Sequence, residues 1–392
     1  MSVRKRTWTT ARGETKDAWV VNYRDKAKGG SRVQRTFHLK KEADAFVVDM
    51  KGEVRDGIHI ARSKSVTVAD AGKEWIKTAE LNVERGTVAN YQAVLTFHIV
   101  PYIGFVKLSD LTVPMVRAFE DKLREEGRSP SMVKRARSFL SMLLSDAMER
   151  GLATRNVARG LSSNRKRGKE RQAERRAKGK LKVGVDIPTL DEARAIMVNL
   201  KERWRPVILT ALFCGLRSSE LRGLTWANVD LDKREIHVRQ RADKYNVIGN
   251  PKSDDGDRTV PMLPLVANGL REWKLQCPKT DLDLVFPSRN GNIESHNNIV
   301  ARGLWRAQVA AGIVVNGKAK YTGLHSLRHF YASWCINRKA DGGMELPPKD
   351  VQYRLGHSSI GMTMDVYGHL FPKADARAEM EAAERAFLGT TG

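Results

Sequence analysis

Three runs near the C-terminus decide how this chain reads: HSLRHFYASW at 325–334, LGHSS at 355–359 and TMDVYGHL at 363–370. The first places His325, Arg328 and His329 at what reads as the start of a helix. His357 follows in a tight Leu-Gly-His turn, and Tyr367 comes ten positions after it. Each residue alone has a bland reading as a packed or solvated side chain. Together they supply cations for a phosphate, proton donors and a hydroxyl nucleophile, so this segment is the provisional active site.

The rest of the chain behaves as if it serves a polyanion. Lys and Arg number 69 against 45 Asp and Glu, a formal charge of +24 over 392 residues, and nucleic acid is the first partner such a surplus suggests. The length allows two or three domains, and 41% apolar residues with 8 Trp argue for folded structure. No run approaches the apolar length of a transmembrane helix, so no membrane association is expected. MSVRKRTWTT carries charge without an apolar core, unlike a secretory signal. Cys214, Cys277 and Cys335 are scattered, with no metal-ligand spacing, which fits a reducing cytoplasm.

Working outward from the C-terminal runs, residues 185–392 read as one mixed, mainly helical domain. Thr189 and Glu192 make a capping-box pattern. WRPVILTALFC gives an apolar helix, Gly215 a turn, and Arg217 opens a helix carrying Glu220 and Leu221. REIHVRQ and DRTVPML are strand candidates around NPKSDDGD, which contains Lys252, and LVFPSRNG reads as a short strand and turn. The tail is an amphipathic helix with Met380, Ala383, Phe387 and Leu388 on one side and Glu379, Glu381 and Glu384 on the other. Upstream, residues 162–184 hold ten basic and two acidic residues and too little apolar content for a core, so they read as a basic linker.

Residues 65–161 read as all helical: one helix from Val68 to about Glu80, a second from near Thr87 ended by Pro101, a third capped at Thr112 and stopped by Gly127, and a fourth over SPSMVKRARSFLSMLLSDAMERGL. The fourth has the stripe Val133, Ala136, Leu140, Leu143, Leu144 and Ala147, and offers Lys134, Arg135 and Arg137 on its other side. Residues 1–60 read as a small α+β module with two or three strands, a Gly29-Gly30 turn, and a helix carrying Ala43, Phe46, Val47 and Met50 and ending near Gly57. Its open sheet face is expected to carry Arg24, Lys26, Lys28, Arg32 and Arg35, either to enter a DNA groove or as a solvated basic surface.

The chemistry-bearing set is Arg217, Lys252, His325, Arg328, His357 and Tyr367. Guanidinium forks suit the non-bridging oxygens of a phosphodiester and its pentacoordinate state. GLRSSELRGLTWANVDL, PKSDDGDRTVPML, HSLRH, LGHSS and DVYGHL, in that order over 185–392, resemble the motifs of tyrosine recombinases of the phage-integrase family. Residues 65–161 are similar to that family's core-binding domain, and 1–60 to the arm-type DNA-binding module of phage and genomic-island integrases. Asn156-Val157-Ala158 stands where an Asn-Pro-Ala is common, and KADGGMELPPKD is a somewhat long insertion.

The resemblance implies a DNA breaking-rejoining fold: an α+β N-terminal module, an all-α core-binding bundle and a mainly α catalytic domain with a small antiparallel sheet. It implies that Tyr367 forms a 3′-phosphotyrosine, Arg217 and Arg328 hold the scissile phosphate, and Lys252 protonates the leaving 5′-oxygen, with Lys244 the next choice. His325 would assist phosphate binding and proton transfer, His357 would donate a hydrogen bond to the phosphate, and Glu220 would tie the active-site helices together. His329 and His369 are expected to pack or bond locally. The implied activity is integration or excision of a mobile element by a homotetramer on double-stranded attachment sites in a bacterial cytoplasm, with room for DNA-bending or directionality factors. No cofactor or metal is expected, and no ATP motif is present. A type IB topoisomerase-like nicking-closing enzyme and a non-catalytic DNA-binding factor on the same fold are the alternatives.

Overall fold

The computed structural model describes residues 2–9, 15–25, 31–55, 65–159, 180–251, 254–372 and 376–389, in two units, Met1–Arg165 and Lys166–Gly392. At the N-terminus β1 (Ser2–Thr9), β2 (Thr15–Asp25) and β3 (Ser31–Phe37) form an antiparallel sheet in that order, with α1 (Lys40–Arg55) on one face. Strand alternation sends every second residue to one side. There Val3, Trp19, Val21, Tyr23 and Phe37 meet Ala43, Phe46 and Val47. Arg35 belongs to this side too, its guanidinium 4.7 Å from the Phe46 ring centre, so it covers the small core and is not part of the open face expected to hold it. The opposite face carries Arg4, Arg6 and Trp8, all exposed. Arg24 pairs with Arg32 in the strand register, while Lys26, Lys28, the Gly29-Gly30 turn and Gly57 lie outside the described residues.

The helical segment that follows begins with α2 (Val68–Asn82), whose Thr67 cap accepts the Asp70 N–H. Then come α3 (Arg85–Val94), a π-helical turn over Leu95–Ile99, and α4 (Val100–Ile103). Pro101 therefore does not end the second helix. The Val100 N–H reaches back to the Leu95 carbonyl, and this wider turn carries the chain past a residue that has no N–H and would crowd a regular turn. The remaining helices are α5 (Val113–Glu125) and α6 (Pro130–Glu149). All six residues of the α6 stripe are buried. On its other side Lys134 and Arg135 are exposed, but Arg137 is turned to the buried Glu120, 3.3 Å away, so it is not offered outward. Asn156 donates to the Ser141 carbonyl at 2.7 Å and accepts from the Ala158 and Arg159 N–H groups, clasping the segment after α6 back onto that helix.

The second unit opens with α7 (Leu190–Val198) under the Thr189–Glu192 capping box. Apolar nearly all round, α8 (Trp204–Cys214) is buried on almost every side, as such a helix must be. It leads through Gly215 to the short α9 (Ser218–Arg222). A sheet in the order β4 (Val229–Asp230), β5 (Glu235–Val238), β8 (Arg258–Pro261) follows, and within the β5–β8 excursion β6 (Arg241–Ala242) and β7 (Ile248–Gly249) form their own hairpin. After α10 (Pro264–Gln276), the LVFPSRNG run makes only isolated bridges, Thr225 with Leu284 and Pro287 with Ile293, and not the strand expected. Pro287 has no N–H for a ladder.

Next come α11 (His296–Asn298), a π-helical turn over Ile299–Leu304, α12 (Trp305–Ala310), and the small hairpin β9 (Val314–Val315) and β10 (Lys318–Ala319). The chain ends in α13 (His325–Ile336), α14 (Pro348–Leu355), α15 (Ile360–Tyr367) and α16 (Ala376–Leu388). In α16 Met380, Phe387 and Leu388 are 72%, 89% and 63% exposed, so the apolar stripe of the tail is left uncovered. Residues 162–179 of the basic linker lie outside the described residues. No described helix is long and apolar enough to cross a membrane.

Candidate active site

Two helix ends hold the two arginines. Gly215 caps α8 with a left-handed φ of 61°, and a Cβ there would lie 2.2 Å from the Tyr331 ring, so only glycine fits. Its carbonyl accepts from Arg328 Nη1 at 2.6 Å, and Arg328 Nη2 donates to the Leu355 carbonyl in the last turn of α14. Gly356, again left-handed, caps that helix, and its carbonyl accepts from Arg217 Nη2 at 2.7 Å. The last carbonyls of a helix lack partners within it and carry partial negative charge. Here they fix the planes of two guanidiniums. Arg328 is 2% exposed, and burial, with Arg217 nearby, pushes its pKa down.

Glu220 fastens one of these arginines, Arg217, from the other side and ties it to a third, Arg258. Its carboxylate accepts from Arg217 Nη1 and from the Arg217 backbone N–H, both at 2.8 Å. It also accepts from Arg258 Nη2 at 2.8 Å, and the Arg258 side chain has no exposed surface. Burial alone would raise the Glu220 pKa. The hydrogen bond and charge of Arg258, together with Arg328 and Arg217, outweigh it and hold the carboxyl at about 2. Arg258 also donates to the Arg354 carbonyl at 2.9 Å, joining β8 to α14. Sequence reasoning did not single out Arg258, because an arginine opening a strand looks like any surface residue.

The nucleophile candidate is enclosed. Tyr367 is 2% exposed, and burial pushes its pKa up to about 12, with the charge of Arg328 pulling the other way. His357 lies with its ring parallel to that of Tyr367, centroids 6.3 Å apart, and its Nδ1 is 3.0 Å from Thr363 Oγ1. Burial, then the charges of Arg328 and Arg217, lower the His357 pKa to about 4, so near neutral pH the ring is uncharged and has a single N–H to offer. His325 faces solvent on the first turn of α13, its pKa lowered by desolvation and by the same two arginines.

His329, expected only to bond locally, has its Nδ1 2.7 Å from the Tyr367 hydroxyl. His369 lies away from Tyr367's hydrogen bond, its Nε2 2.8 Å from the carbonyl of Leu181, 188 residues upstream. Five of the six candidates, Arg217, His325, Arg328, His357 and Tyr367, thus converge through shared partners or mutual electrostatics. Lys252 lies outside the described residues. Lys244, in the β6–β7 turn, is exposed, with its ammonium 4.9 Å from the Tyr245 ring centre.

Residues 188–374 match the Phage integrase family, and residues 67–124 match the N-terminal SAM-like domain of phage integrases. The chain is 25% identical to the tyrosine recombinase XerC-like protein of Caldanaerobacter subterraneus subsp. tengcongensis, over 90% of this chain and 92% of that protein. It is 22% identical to the ICEBs1 integrase of Bacillus subtilis, over 87% and 89% of the two chains. Among solved structures it is similar in fold to the Tn1549 transposon integrase in complex with a circular intermediate DNA (TM-score 0.64, 20% identity, 81% of this chain and 100% of that one). It is also similar to a lambda integrase tetramer bound to a Holliday junction (TM-score 0.55, 17% identity, 90% and 95%).

Proposed function

The chain belongs to the phage integrase family of tyrosine recombinases, and on that footing we propose that it cuts and rejoins DNA at specific sites through a 3′-phosphate link to Tyr367. The observation that carries this reading is the pair of guanidiniums on helix-end carbonyls, beside a buried tyrosine hydroxyl. A scissile phosphate entering there replaces lost hydration with pre-aimed cations, the arrangement that favours charge building on a pentacoordinate phosphorus. Tyr367 attacks, the 5′-oxygen leaves, and Lys252 returns a proton to it. His325 and His357 add hydrogen bonds to the phosphate oxygens. The phosphotyrosine conserves the bond energy, so the reverse attack by a 5′-hydroxyl needs no ATP.

The substrate in this reading is a pair of double-stranded attachment sites of a mobile element in a bacterial cytoplasm, worked by a tetramer. The uncovered stripe of α16, with its acidic flank, docks on a neighbouring protomer, and DNA-bending or directionality proteins join at the outer sites. Arg4, Arg6 and Trp8 of the sheet, with Lys134 and Arg135 of α6, face the duplex. The test is a nicked duplex that loses a short fragment on cleavage and so traps the intermediate. A covalent 3′ complex should form and vanish with Tyr367→Phe. An adduct that persists in that variant sinks the reading, and trapping without exchange between two duplexes turns it to a topoisomerase. Arg328→Lys should lower the trapping rate about 100- to 1,000-fold, because a point charge cannot reproduce the fork.

A further inference from the structure

We propose that His329 is a catalytic residue, the base that takes the Tyr367 proton as attack on the phosphate begins. The proposal rests on the reading of Tyr367 as the nucleophile. The geometry is direct: His329 Nδ1 stands 2.7 Å from the phenolic oxygen, within the reach general-base transfer requires, while the other histidines of the site take different roles. His357 lies parallel to the Tyr367 ring and is bonded to Thr363, and His325 is on the exposed turn of α13. His329 and His325 are four residues apart on one helix face, their rings edge-on with centroids 4.4 Å apart. That pair runs from the buried hydroxyl to solvent and gives the proton a way out.

The ring is in the form a base needs. Burial, then the neighbouring His325 and Arg328, hold the His329 pKa at about 4 against the opposing pull of Asp186, so it is neutral near pH 7. These are the titratable groups facing it from α13 and the Asp186 loop, and Tyr367 is the one from α15. A base this weak does not ionise the resting phenol, whose own pKa is pushed up to about 12. It acts when the oxygen–phosphorus bond forms and the phenol becomes strongly acidic, and the phosphate charge beside it favours the imidazolium that results. In the forward step the Tyr367 O–H bond breaks with the proton going to Nδ1, the O–P bond forms, and the P–O bond to the 5′-oxygen breaks. In resealing, the tyrosine oxygen leaves phosphorus and takes a proton back from Nδ1.

The experiment measures single-turnover trapping by the full-length protein on nicked duplexes tiled across the DNA bordering its gene, from about pH 5.5 to 9.5. His329→Gln keeps an acceptor near the hydroxyl without a basic nitrogen, and His329→Ala leaves space for added imidazole. Both variants should trap Tyr367 about 100- to 10,000-fold more slowly at pH 7. Their rates should keep rising with pH where the wild type has levelled off, and imidazole should partly restore the alanine variant. Nitrogen NMR of the wild-type ring, which needs no DNA, should show Nδ1 without a proton. Trapping at the wild-type rate overturns the proposal, and so does a loss by one factor at every pH that glutamine repairs. A protonated Nδ1 overturns it as well. If the wild type itself traps no covalent complex, the recombinase reading falls and takes the proposal with it.

Discussion

Glu220 shows how one buried side chain can set both the stability and the geometry of a site. Its carboxylate is shared by Arg217 and by an Arg258 that has no exposed surface, so removing the charge strands a buried cation. Glu220→Gln should cost about 3–5 kcal/mol in urea unfolding at pH 7. The ionised form is favoured in the folded state, since the pKa falls from 4.5 to about 2 on folding. The stability it contributes is therefore whole above about pH 4.5 and is lost as pH drops toward 2, on the order of 3 kcal/mol. His329 and His357 act in the same direction at higher pH. Both are held near 4 when folded, so the unfolded chain binds the extra protons, and the stability present above about pH 6.5 declines as pH falls toward 4. Unfolding midpoints measured from pH 7 down to pH 4.5 should flatten in the double variant His329→Gln, His357→Gln. Arg217, Arg328 and Tyr367 were legible in the sequence because their neighbours form distinctive runs. Arg258 and the His329–Tyr367 bond were not, since each depends on segments that meet only in the fold.

At the scale of elements, the glycine-capped helix ends do the positioning. Gly215→Ala asks an L-residue to hold a left-handed φ and drives a methyl into Tyr331. It should lower the melting temperature and slow trapping together, with a cost above about 1 kcal/mol, because the carbonyl that holds Arg328 moves with the backbone. By contrast, Leu143→Ala in α6 should cost about 2–5 kcal/mol of stability and leave the site's chemistry alone, as its side chain is wholly buried in the helical core. The apolar stripes of these helices were readable from spacing alone. The π-helical turns at Leu95–Ile99 and Ile299–Leu304 were not, because one widened turn shifts the apolar pattern too little to register. Arg35 is a different case. Strand alternation already put it beside Val33 and Phe37, and only the expectation of a basic open face set it elsewhere.

For the whole molecule, the excess of 24 positive charges predicts DNA binding that weakens steeply with salt. Replacing Lys134 and Arg135 by Ala should reduce the slope of log affinity against log salt by about 2, measured by filter binding, and weaken all sequences alike. The charge surplus and the order of motifs were plain from composition and spacing. What could not be read was how segments far apart would share partners, and the Arg217 bond to the Gly356 carbonyl closes over 139 residues. That closure also bears on how such a chain is made. A ribosome delivers Arg217 long before α14 and Tyr367, and until the last helices have docked, the two guanidiniums have no common frame and the phenol no burial. On the proposed reading, a partly synthesised, misfolded or clipped chain would keep the basic surface that attracts DNA, yet it would have no assembled centre with which to nick it.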